Sequence, residues 1–187
     1  GELETLSFSG KTRIADAGAA WREVSAAAQV TDGVNVAGSG LIAFGTFAFR
    51  STSDVPSVLI IPKLVVGRRA GTSWLTRITF ADETVVPLTP VLATELLHEH
   101  ISTNEKLGSA PVVDLTPASL SEEGFTSAVN KAIERINAGE VEKVVLAREL
   151  EGTLPTGSDL RVAITRLAES YPDCWTFSVD GLFGSSP

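Results

Sequence analysis

One amine in this chain of 187 residues is placed where proton chemistry is conceivable. Lys143 opens the apolar run Lys143-Val144-Val145-Leu146-Ala147-Arg148. Read as a strand, the run alternates its side chains. Lys143, Val145, Ala147 and Glu149 then share one face, and Val144, Leu146, Arg148 and Leu150 the other. A lysine at a strand end is ordinarily a solvated charge. Held in a cleft, where burial or a neighbouring cation lowers its pKa, the same amine is neutral near physiological pH and can accept a proton. Spacing alone leaves both readings open.

Three other groupings carry less. His98-Glu99-His100 is too compact for a helical zinc pair, which needs two histidines four apart. On a helix, positions 98 and 100 point about 200° apart; as alternate strand residues they could share a metal, and a solvated surface pair is the simpler reading. Cys174 lies in an apolar segment with Trp175 and Phe177 and has no base beside it in sequence, so it reads as a small packed thiol. Gly38-Ser39-Gly40 approximates a dinucleotide fingerprint. That fingerprint must follow a strand and open a helix, whereas here the glycines precede an apolar, strand-like run.

The rest of the chain must position these groups. Lys+Arg number 15 against 23 Asp+Glu, a formal charge of −8, so neither a nucleic-acid footprint nor attraction to anionic membranes is expected. Hydrophobic residues make up 43% and charged residues 20%, the balance of a globular domain with a core. One cysteine excludes an internal disulfide and a four-cysteine zinc site and fits a reducing, cytoplasmic location. No apolar run reaches the ~20 residues that cross a bilayer, and the first residues show no basic-then-apolar leader.

Residues 1–80 read as strand-rich: strands over 3–9 and 11–15 joined near Gly10, a helix over 17–30 capped by Asp16, and a glycine loop at 33–40. A buried strand follows at 41–49, then strands at 57–61, 63–69 and 73–80, with Pro62 marking a bulge or an edge. Residues 81–118 read as irregular, with a short helix over 90–100 and mobility around 102–110. Residues 119–187 read as helix–strand–helix–strand. The first helix, 121–138, carries the stripe Phe125, Ala128, Val129, Ala132, Ile133 and Ile136; Ser119 or Ser121 caps it and Gly139 ends it. A strand at 143–150, a helix at 158–170 capped by Ser158, and a strand near 174–180 turning at Asp180-Gly181 complete it. The whole is a mixed α+β architecture.

VEKVVLAREL (141–150), preceded by NAGE (137–140), resembles the chorismate-utilising enzymes, and within them the isochorismate synthases of menaquinone and siderophore biosynthesis. LAESYPDCWTFSVDGLFGSSP (167–187) is similar to the family's passage from a helix through an aromatic strand to a Gly-Ser-Ser-Pro loop. LIAFGTFAF followed by PSVLIIPKLVVGRR is similar to its N-terminal strand pair. The resemblance implies a partial chorismate-binding-enzyme α/β sandwich, like that of anthranilate and isochorismate synthases, with antiparallel sheet flanked by helices. It implies an isomerase that converts chorismate to isochorismate by Mg²⁺-dependent exchange of a ring hydroxyl for water, with Lys143 as the general base that activates the incoming water.

The resemblance also places the family's general acid at a glutamate directly after Pro187, and its magnesium ligands in a second half of the domain. On that reading residues 1–187 are the N-terminal portion of a protein about twice as long. Alone they are expected to be inactive, to hold no cofactor, and to expose sheet surface that invites self-association. Salicylate synthases carry the same lysine and are the nearest alternative. A stand-alone, non-catalytic binding module is the rival from another class.

Overall fold

The computed structural model describes residues 1–100, 107–109 and 111–187. In chain order its elements are β1 (Glu2–Phe8), α1 (Arg13–Ala27), β2 (Phe44–Thr46), β3 (Ser57–Pro62), β4 (Leu64–Arg69), β5 (Thr72–Arg77), α2 (Pro90–His100), β6 (Thr116–Pro117), α3 (Glu122–Asn137), β7 (Leu150–Glu151), α4 (Leu160–Ser170), β8 (Trp175–Val179) and β9 (Leu182–Ser186). Helices and small antiparallel sheets alternate, the mixed α+β class read from the sequence. They form two units, one from 1–105 with 171–187 and one from 106–170. Of the stretch 102–110, where mobility was expected, only 107–109 are described.

The first unit is built on β3. It is the middle strand of the antiparallel sheet β1-β3-β2, which explains why its sequence, SVLIIP, is nearly all apolar. Val58 and Ile61 from β3, Ala17 from α1 and Val65 from β4 are buried. Pro62 sits at a bulge: Glu2 pairs with Pro62 but Glu4 with Ile61, so Leu3 is the extra residue on β1. β4 and β5 form a hairpin, and β8 and β9 another. The second hairpin turns at Asp180 (φ 50°) and Gly181 (φ 76°), the paired left-handed residues that match the twist of the flanking strands.

Two expectations in this unit are corrected. Residues 11–15 are no strand: Gly10 (φ 78°) ends β1, and α1 starts at Arg13 behind an N-cap at Thr12, with Asp16 in the first turn rather than at the cap. The cause is tertiary. The buried Arg13 guanidinium donates to the carbonyls of Gly10, Ala48 and Phe49, which draws the segment into the helix start.

Residues 41–49 form only the three-residue β2, and Phe49 is 96% exposed. The reason lies in the backbone. The Ala48 N–H goes to the Ser57 hydroxyl and the carbonyls of Ala48 and Phe49 go to Arg13, so these groups are diverted from the sheet ladder.

The second unit holds α3 and α4, neither with a fully buried side chain. Ser121, not Ser119, caps α3, accepting from the Gly124 N–H at 3.1 Å. Gly139 (φ 74°) ends it in a Schellman turn, with Gly139 N–H to Ile136 O at 3.0 Å and Glu140 N–H to Arg135 O at 3.0 Å. At α4 the helix start belongs to Asp159, whose carboxylate accepts from the Arg161 N–H, while Ser158 turns back to the Pro155 carbonyl. The expected strand 143–150 is reduced to β7 and its short antiparallel pairing with β6. A strand exists only where a neighbour completes its ladder, and among the described residues 143–148 have no such neighbour.

Candidate active site

Lys143 lies just beyond the Schellman turn of α3, at the head of the unladdered segment 143–148. Exposure along Val144, Val145 and Leu146 runs 40%, 82% and 38%, the period of two read from the sequence. By that period Lys143 shares the open face with Val145. Its side chain is exposed and makes no hydrogen bond or ion pair among the described residues.

The far end of the segment is tied down. Thr116 pairs with Glu151 and Pro117 with Leu150. The Ala118 N–H donates to the Glu149 carbonyl at 3.2 Å, and the Ser119 hydroxyl donates to Glu149 Oε2 at 2.9 Å. In the sequence Ser119 reads only as a helix cap, with nothing to join it to Glu149. The two are thirty residues apart, and no local pattern joins them. An open depression of about 610 Å³ beside this ladder includes Asp114 and Glu151 in its wall. Its two carboxylates repel a bare dianion.

The start of α4 is electrostatically settled. The Arg161 guanidinium beside Asp159, helped by the Gly108 N–H at 3.0 Å, holds the Asp159 carboxyl well below the usual range. This is helix-start architecture, with both carboxylate oxygens already engaged.

The remaining sequence candidates stay separate. His98 and His100 lie on α2, the helix expected over 90–100. Among the described residues no group of three His, Cys, Asp or Glu side chains could hold a metal. Cys174 is a half-buried free thiol at the start of β8.

The glycine loop leads to β2, not to a helix, and its backbone is already committed. Asp32 accepts from the N–H groups of Val34 and Asn35 and from the Ser39 hydroxyl. The Gly-Ser-Ser stretch of 184–186, expected as a loop, is part of β9, where Gly184 pairs with Phe177 and leaves room for its ring. Next to it, Ser185 Oγ is buried without a hydrogen-bond partner among the described residues.

Among the described residues no helix is long and apolar enough to cross a membrane. No curated protein and no solved structure matches the chain. A family model described as chorismate binding enzyme matches residues 1–186. That match takes in the Lys143 segment, the β3–β4 strands and the β8–β9 hairpin together, and it makes chorismate the small-molecule substrate of the enzyme concerned. The chain belongs to the chorismate-binding enzyme family.

Proposed function

We propose that the enzyme to which this chain contributes is an isochorismate synthase, serving menaquinone or siderophore biosynthesis, and that Lys143 is its general base. The observation that supports the reading is KVVLAR, with Lys143 at its head, in a chain that belongs to this family. The Lys143 amine takes a proton from water as the oxygen bonds to C2 of chorismate. The ring double bond shifts, the departing ring hydroxyl takes a proton from an acid on the other side, and the sum is an isomerisation. We place that acid at the position following Pro187. Mg²⁺ is proposed as the cofactor of the whole enzyme, with ligands outside the residues described here. On this reading residues 1–187 alone are inactive and self-associate through uncovered sheet surface.

The test is chorismate turnover by the protein of the complete reading frame, with Mg²⁺ added and isochorismate measured chromatographically. Lys143→Ala is expected to lower the rate by about 10²–10⁴-fold, the usual contribution of a positioned base. An unchanged rate overturns the base assignment. Release of salicylate without an added lyase makes the enzyme a salicylate synthase instead.

A further inference from the structure

We propose that Ser119 and Glu149 are positioning residues that set the register of the Lys143 segment; the catalytic consequence rests on the reading of Lys143 as the base. In a pleated segment a slip of one residue sends every side chain to the opposite face. Hydrophobic patterning normally prevents this, because one face is apolar and the other polar. Here it does not. Val144, Val145, Leu146 and Ala147 are consecutive, so both faces are apolar and a slipped segment presents nearly the same surface.

The backbone ladder offers little resistance. It holds two residue pairs, and one of its four residues, Pro117, has no N–H to donate. The Ala118 N–H to Glu149 carbonyl bond extends it by a single link. Thr116 Oγ1 also donates to the Glu151 carbonyl at 3.4 Å, a bond that any residue's carbonyl can accept, whereas the bond from Ser119 Oγ to Glu149 Oε2, at 2.9 Å, depends on the identity of both residues and is lost on a slip. Its two ends are well placed for the task. Ser119 stands two residues before the α3 cap, so the clamp refers the segment to the start of that helix. The Schellman turn and the Arg135–Glu140 ion pair at 2.7 Å refer it to the helix end. Glu149 is an even number of residues from Lys143. Fixing its side chain on one face therefore fixes the amine on that same face.

The experiment uses the enzyme of the complete reading frame. Ser119→Ala and Glu149→Leu are each expected to lower kcat about ten- to a hundredfold, the scale of a misplaced catalytic group, with KM changed less than twofold. The double variant is no worse than either single one. Glu149→Gln keeps an acceptor for the Ser119 hydroxyl and restores most of kcat, a rescue that loss of charge or general destabilisation does not produce.

Register is read separately, without activity. In a Cys174→Ser background, Val145→Cys is labelled by a thiol reagent faster than Val144→Cys, and Ser119→Ala or Glu149→Leu abolishes that contrast. Wild-type kcat in the clamp variants, failure of Glu149→Gln to rescue, or a labelling contrast that survives Glu149→Leu each overturns the proposal. A contrast lost in the clamp variants while Lys143→Ala retains full activity supports the clamp and removes only the base.

Discussion

The indole of Trp74 occupies the space where a side chain at its cross-strand partner Gly67 would stand. From that position Trp74 Nε1 donates to the Gly38 carbonyl at 3.1 Å, and two residues on, Thr76 Oγ1 donates to the Ser39 carbonyl at 2.5 Å. The β4–β5 hairpin thus holds the glycine loop in place. Gly67 is needed for the bare face it offers to the ring, and its substitution tests the arrangement directly. Gly67→Val is expected to cost about 1–3 kcal/mol, the price of overpacking, read as a lower urea midpoint with altered tryptophan emission.

Arg13 is a buried cation whose described partners are all carbonyls: Ala48 at 2.8 Å, Phe49 at 2.6 Å and Gly10 at 3.1 Å. Arg13→Met keeps most of the bulk and removes the donors. It is expected to destabilise the protein by about 2–3 kcal/mol, since carbonyls stripped of a partner keep their desolvation cost. Denaturant titration gives the loss, and hydrogen exchange is expected to show it first in the amides of 47–57.

Acid stability has an identifiable contributor in Asp32. The Asn35 N–H, the Ser39 hydroxyl and the Val34 N–H hold its carboxyl below the ordinary 3.8, against a smaller opposing effect of desolvation. A depressed folded value means that the stabilisation is fully present above the unfolded pKa. It is lost as pH falls through the folded one. Melting temperatures measured from about pH 5 down to about pH 2 should therefore fall more steeply for the wild type than for Asp32→Asn, which has no charge to lose. Equal slopes exclude Asp32 as the cause.

The ends of α3 can be tested one at a time. Ser121→Ala removes the acceptor for the Gly124 N–H and is expected to cost about 1 kcal/mol. Gly139→Ala places a Cβ on a residue at φ 74°, again for about 1 kcal/mol. Chemical denaturation checks both. With no fully buried residue on this helix, its caps are a large share of what holds it, so circular dichroism should show lost helicity before global unfolding.

Elements with their own punctuation were legible from the sequence. α3 lies within a residue of its expected span because Ser121, the apolar stripe and Gly139 are local signals. The turn at Asp180-Gly181 followed for the same reason, and the short helix α2 lies over the span expected for it, whereas the second strand of that hairpin was not foreseen. Segments whose backbone groups are claimed from far away were misread. Residues 11–15 and 41–49 both answer to Arg13, and the 143–150 run lacks the neighbour that would make it a strand. At the candidate site, the sequence offered Lys143 and its face. The clamp from Ser119 to Glu149 was invisible, because nothing at position 119 announces a partner thirty residues on.

By itself, then, the order of residues determined the α+β class, because periodicity, capping and turn chemistry act over a few neighbouring residues; the family, and with it the amine proposed for proton transfer, came from the resemblance of 141–150 and 167–187 to chorismate-utilising enzymes. The tertiary structure alone decided where the phenylalanines of 44–49 go, that the glycine loop is docked on Trp74 and Thr76, and what pins the Lys143 segment. Each of these depends on a donor meeting an acceptor far away along the chain. Such a meeting is created by folding and leaves no trace in local spacing.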